Sequence, residues 1–185
     1  LPIEVGIRGH TRADLCHLPP LRIDLKPKRA AGTLFESQTG LKLVTQCKNS
    51  YRYRDYLLLE HKIYQAYNLV TPLSFRTRLL SLSYIDTDGQ VRGFTQPAFL
   101  IEDLEQLAAR LDMERVRRSG LSPLDMDSAQ QNLVEMFQFM IGNTDWSLPY
   151  LHNIRVFQNF TNYLAVPYDF DWSGAVNARY SFPNP

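Results

Sequence analysis

The chain has 185 residues, 44% hydrophobic and 12% aromatic, with 20 basic against 19 acidic side chains. This length and apolar content suffice to bury a core in one domain, or in two lobes of one. A formal net charge of +1 offers no bulk field for nucleic acid or an anionic membrane, and the bases are interleaved with acids. No run of about 18 apolar residues occurs, so no transmembrane helix is expected.

The chain opens at Leu1, without Met or a visible signal peptide, directly into an alternating segment. A trimmed fragment lacking a preceding strand is the expectation. Residues 2–8 and 21–26 read as strands, joined by a loop that carries Pro19 and Pro20. Residues 41–47 form a third, with Leu41, Leu43 and Thr45 on one face and Lys42, Val44 and Gln46 on the other. Asn49 or Ser50 then caps a helix running to about Tyr67. Residues 73–85 and 90–101 are two further strands about Asp88-Gly89, a strong hairpin turn pair. Leu104, Leu107 and Leu111 mark a short helix. The polar connection 115–126 is the segment expected to be most mobile. The next helix begins at Asp127, a side-chain cap, with Gln130 completing a capping box and Leu133, Phe137, Met140 and Ile141 as its apolar stripe. Residues 153–157 and 163–167 make a second hairpin. Strands with one helix come first and a mostly helical part follows, an α+β, two-lobe layout.

Three polar residues carry the chemistry. Asp145 follows a helix, Asn153 heads a strand and Asp169 ends the next strand. Phosphoryl transfer in protein kinases uses one Asp for the acceptor hydroxyl and an Asn and a second Asp for Mg²⁺. Oxygen ligands suit that hard ion. Asn153 stands eight residues after Asp145, against five in the common kinase pattern. Asn143 and Gly142 also fit ordinary helix-stop chemistry. Asp171 joins Asp169 across Phe170, and strand alternation points both carboxylates to one side.

Glu60 falls on the inward stripe of the first helix with Tyr56, Leu57, Ile63, Tyr64 and Tyr67. A carboxylate there is costly unless a cation meets it. Lys42 is the natural partner and Arg22 the other. A strand cation paired to a helix Glu is the phosphate-holding arrangement of kinases; a solvated rim position or a purely structural ion pair is the competing reading. Cys16 and Cys47 are either two buried thiols or a disulfide, which the chain-entropy model credits with roughly 3–4 kcal/mol. Neither has a second Cys or His at metal-ligand spacing, although His17 adjoins Cys16.

Taken together, these segments resemble the spore-coat-protein-H-like (CotH-like) atypical protein kinases, in particular a bacterial subgroup of them. VGIRGHTR is similar to the family's Arg-Gly-x-x-Arg segment through Arg8, Gly9 and Arg12. Lys42, Arg54 and Glu60 fall on matching positions, and GNTDW, HNIRVF and PYDFDW complete the likeness. The resemblance implies a two-lobe, protein-kinase-like fold. An N-lobe of antiparallel sheet plus one helix would span about 1–101, and part of a helical C-lobe about 102–185. It implies ATP as co-substrate, Mg²⁺ (or Mn²⁺), and a protein acceptor. Asp145 becomes the catalytic acid, Asn153 and Asp169 metal ligands with Asp171 beside them, and Lys42, Arg22, Glu60 and Arg8 the nucleotide-binding set. The relatives are exported, so the two cysteines are expected to be bonded and the protein to be secreted, periplasmic or on the cell surface.

Departures from the family are visible. No phosphate-cradling Gly-rich loop is present, since RGHTR has one glycine, and the expectation is that its arginines take over what backbone N–H groups do elsewhere. Only 16 residues follow Asp169 in this sequence, so the C-lobe is expected to be incomplete here and to lack the acceptor platform. ATP–Mg²⁺ binding with poor transfer to a protein is the expectation. The alternative is an inactive kinase-like binding or coat module.

Overall fold

The computed structural model describes every residue except Pro2, His10, Ser37, Thr161 and 182–185. It is an α+β structure that divides into two compact units. The first comprises Leu1–His61 and Thr77–Asp103, the second Lys62–Arg76 and Leu104–Pro185. The stretch 62–76, read from the sequence as part of the first lobe, thus groups with the later residues.

The first unit holds β1 (Glu4–Ile7), α1 (Thr11–Leu15), β2 (Leu21–Asp24), α2 (Pro27–Ala30) and β3 (Gly40–Thr45), then α3 (Tyr51–Val70) as far as His61, and finally β4 (Thr77–Tyr84) and β5 (Phe94–Ile101). The strands form an antiparallel sheet in the order β1-β2-β3-β5-β4. Register decides which side chains share a face. Lys42 stands opposite Ile101 and Val44 opposite Phe99, so these four point one way. The His61 ring lies 5.4 Å from that of Phe99, and its Nδ1 is 3.0 Å from the hydroxyl of Thr77, the residue opposite Ile101. The Glu60–His61 turn of α3 therefore rests on the face that carries Lys42.

Cys16 and Cys47 are bonded to each other. Around the bridge, the Leu18 N–H donates to Cys47 O (3.2 Å) and the Thr45 hydroxyl to Leu18 O (2.8 Å), fastening the segment after α1 to the end of β3.

Between β4 and β5 the two-residue hairpin expected at Asp88-Gly89 is absent. The strands stop at Tyr84 and Phe94, whose rings stack at 4.8 Å, and residues 85–93 form a wide loop. Asp86 organises that loop by accepting the N–H groups of Val91 (2.8 Å), Asp88 (3.2 Å) and Gln90 (2.8 Å). Those donors hold its carboxyl below the usual carboxylate value. Gly89 supplies the left-handed residue, at φ 68°.

The second unit contains the remainder of α3, α4 (Leu104–Leu111), β6 (Glu114–Val116), a 3-10 turn at Pro123–Asp125, α5 (Ser128–Met140), β7 (Ile154–Gln158) and β8 (Tyr163–Pro167). Its sheet runs β6-β7-β8, antiparallel throughout. Leu121, Met126, Val134, Leu148, Ile154, Val156 and Ala165 form its core cluster.

The connection expected to be mobile belongs to that framework. β6 pairs with β7, Leu121 and Met126 are buried, and Asp125 accepts from both the backbone N–H (2.7 Å) and the hydroxyl (2.9 Å) of Ser122. Asp127 caps α5 as expected, accepting the Gln130 N–H at 2.9 Å. The capping box does not close, because the Asp127 N–H donates to Tyr163 O and the Gln130 amide turns inward to Ala165 O (2.8 Å). The inward line of α5 is Gln130, Gln131, Val134, Phe137, Gln138 and Ile141, whereas Met140 is 69% exposed. Glutamines occupy buried positions because partners await them, which a purely apolar stripe cannot reveal. No helix of the described residues is long and apolar enough to cross a membrane.

Candidate functional site

The end of α5 sets the geometry of the segment that follows. Gly142 takes φ 62°, ending the helix, and Asn143 is buried behind it. The Asn143 Nδ2 donates to Gln138 Oε1 (3.0 Å), while its Oδ1 accepts the Asp145 N–H (3.1 Å). Helix-stop chemistry is thus present, and its effect is to aim Asp145.

The eight-residue interval to Asn153 is taken up by a small closed loop. Ser147 and His152 exchange backbone hydrogen bonds, 2.9 Å in each direction. The tip between them is anchored by Leu148, 3% exposed in the core. The chain therefore doubles back and delivers Asn153 to Asp145. The Asn153 Nδ2 donates to the Asp145 backbone oxygen (2.7 Å) and to its Oδ2 (2.9 Å). Both partners are acceptors, so the amide orientation is fixed and Asn153 Oδ1 is the end left for a ligand. On the other carboxylate oxygen, His152 Nε2 lies 2.9 Å from Asp145 Oδ1.

The strand pair brings in the third residue. Ile154 stands opposite Pro167, and one step further the Tyr168 N–H donates to Asn153 O at 3.0 Å. Asp169 follows at φ 65°, half-buried, with its N–H donated to the Tyr64 hydroxyl (2.8 Å). Phe170, fully buried, packs edge-on against Tyr64 (4.8 Å) and Phe137 (6.0 Å). Tyr64 belongs to the part of α3 that groups with this unit.

β8 ends at Pro167 and Asp169 is left-handed, so the strand alternation from which a shared direction of Asp169 and Asp171 is expected does not extend to them. Asp171 is instead 4% exposed, with interactions of its own. Beyond it, the Gly174 N–H donates to Gly142 O and the Ala175 N–H to Ile141 O, both at 2.9 Å, returning the chain to the end of α5.

Arg155 ties the two loops together. Its Nη1 donates to Leu151 O (3.1 Å) and Ile154 O (2.8 Å), and its guanidinium covers the Tyr168 ring at 4.4 Å. Left-handed backbone is concentrated here too, at Leu151 (φ 51°), Asn153 (φ 51°) and Asp169 (φ 65°). Residues held in such conformations cost on the order of 1–3 kcal/mol each and gather at functional sites. Nearby Arg115 has its pKa lowered by burial and by the charges of Arg117 and Arg155.

In the first unit Glu60 is 1% exposed. Arg12 Nη1 stands 3.9 Å from its Oε2, while Arg12 Nη2 donates to Thr45 O at 2.7 Å. Lys42 lies on the sheet face beneath α3 and is itself engaged. Arg22, expected as the second partner of Glu60, pairs instead with Asp24 at 2.7 Å and is 66% exposed. The two are neighbours on one strand face, and the nearer carboxylate takes the guanidinium. Arg8 is half-exposed, with its backbone N–H on Pro20 O.

Sequence reasoning therefore named Asn153 and Asp145, which the second unit joins by hydrogen bonds, Asp169, one residue beyond the Tyr168–Asn153 backbone bond, and Lys42 and Glu60, on facing elements of the first. It missed Arg12 as an ion-pair partner, His152, Tyr64 as a hydrogen-bond acceptor, and Arg155. The available signals were the position of Arg12 in RGHTR and the His-Asn step at 152–153.

The donor set suits a hard divalent cation. Asn153 Oδ1 and the Asp169 carboxylate are oxygen donors on adjoining segments. Among the described residues no group of three His, Cys, Asp or Glu forms a protein-only cage. Mg²⁺ usually needs no such cage, because it keeps waters and takes one or two carboxylates plus substrate phosphates. The chain matches no family model, no curated protein and no solved structure.

Proposed function

We propose that this chain is a kinase-like phosphotransferase of the atypical, two-lobe kind, which takes the γ-phosphoryl group of ATP to a protein hydroxyl. The observation that carries the reading is the Asn153 side-chain amide clamped on the backbone oxygen and Oδ2 of Asp145 while the Asn153 backbone carbonyl receives the Tyr168 N–H. One residue thereby joins a base, an oxygen ligand and the strand end that bears Asp169. Asp145 orients the acceptor hydroxyl and takes its proton. Asn153 Oδ1 and Asp169 would hold Mg²⁺ (or Mn²⁺), which supplies charge neutralisation for the phosphates. Lys42 is assigned to the nucleotide phosphates, with Glu60 as the acid that orients it and Arg12 as a second cation on that acid.

The disulfide favours an oxidising compartment, and we assign the protein to the secreted, periplasmic or cell-surface space. Calorimetry with ATP tests the reading. Binding should require Mg²⁺ and be lost in Asp169→Asn at unchanged thermal stability. Heat-silent titration of the wild type with ATP–Mg²⁺ would favour the alternative, a kinase-like module that binds partners without nucleotide chemistry.

A further inference from the structure

We propose that His152 is a positioning residue for phosphoryl transfer, fixing the plane of the Asp145 carboxylate. The inference rests on the reading of Asp145 as the residue that meets the acceptor hydroxyl.

The geometry is that of a group held on both sides. A carboxylate turns readily about its last torsion, whose energy profile is broad. Asn153 alone pins Oδ2 and leaves that rotation open to libration. His152 Nε2 pins Oδ1 at 2.9 Å. Since a carboxylate oxygen accepts, Nε2 is the ring nitrogen that carries the proton. Each oxygen keeps a second lone pair, and with the plane fixed these point in fixed directions.

The backbone that carries the imidazole is itself well anchored. The backbone of His152 is held through both its N–H and its carbonyl by Ser147. The next residue is the other half of the clamp, and Leu148 roots the loop in the core. His152 is 54% exposed and Asp145 20%. The pair is therefore open to a reactant, unlike a histidine satisfied inside a core. The interval is eight residues, against five in the common kinase pattern, and it accommodates the Ser147–His152 closure. The longer interval thus brings a second donor to the carboxylate.

A misplacement of about 1 Å in a reacting group can cost roughly a hundredfold in rate. Loss of the Nε2 donor should therefore appear in turnover rather than in nucleotide affinity. The test is release of inorganic phosphate from ATP by the whole chain at saturating Mg²⁺, with water as acceptor. Wild type, His152→Ala and His152→Gln are compared, and ATP–Mg²⁺ affinity and melting temperature are measured in parallel. We expect His152→Ala to lower kcat by about 10- to 100-fold with KM within about twofold. His152→Gln, whose amide N–H can reach the same oxygen, should recover most of the rate.

Unchanged kcat in His152→Ala overturns the proposal. So does a loss in both variants that follows their melting temperatures, since that describes a loop staple. A wild type that binds ATP–Mg²⁺ yet releases no phosphate removes the positioning role and leaves the nucleotide site standing. A wild type that does neither removes the functional reading as well.

Discussion

Glu60 lies almost wholly out of solvent, with Arg12 against it and Lys42 on the sheet face beneath its helix. Burying a carboxylate is expensive, and removing a charge from such a cluster acts on the cations left behind as much as on the fold. Glu60→Gln keeps the shape and removes the charge. ATP–Mg²⁺ affinity should fall by at least about tenfold while the melting temperature moves by only a few degrees. Parallel losses in both would mark Glu60 as structural. At this scale the sequence was informative where residue type and order suffice. Asp145, Asn153 and Asp169 stand out because the proposed phosphoryl transfer needs a base and two oxygen ligands about a strand pair. His152 and Arg155 do not, because their contacts with Asp145 and Tyr168 arise only when the Ser147–His152 loop closes and β7 pairs with β8. Arg12 is hidden for a similar reason. The short helix α1, which no periodicity announces, carries it to Glu60.

Among the elements, α5 and the β4–β5 loop give the clearest tests of local physics. The Asp127 cap is confirmed by its bond to the Gln130 N–H. Asp127→Ala should cost about 1 kcal/mol, a fall of roughly 2–4 °C in thermal unfolding. The loop at 85–93 depends on the ionised form of Asp86. Its folded carboxyl lies below its ordinary unfolded value, held there by the N–H groups of Val91, Asp88 and Gln90. The stabilisation is complete above that unfolded value and is lost as pH falls through the lower folded one. Asp86→Asn should therefore remove part of the acid dependence of the melting temperature and leave the neutral-pH slope unchanged. Most strands were legible from alternation, and α4, α5 and the second hairpin from periodicity and caps. The wide β4–β5 loop was not, because Asp88-Gly89 is an equally good hairpin signal when read without the Asp86 carboxylate. Nor was the order of 115–126, of whose apolar residues Leu121 and Met126 reach a core built largely from later segments.

The whole molecule is two units, of which the first carries the Cys16–Cys47 bridge. In the chain-entropy model that cross-link contributes roughly 3–4 kcal/mol. Reduction should shift the denaturant midpoint accordingly, and thiol titration of the denatured, unreduced protein should find no free sulfhydryl. The central claim is that Asn153 and Asp169 hold one divalent cation together with ATP. Electron paramagnetic resonance titration of Mn²⁺ tests it most directly, with and without ATP, in the wild type, Asn153→Ala and Asp169→Asn. The account predicts one nucleotide-dependent Mn²⁺ site in the wild type, weakened at least about tenfold in each variant. Mn²⁺ binding that ignores ATP, or a nucleotide-dependent site that survives both substitutions, would contradict it.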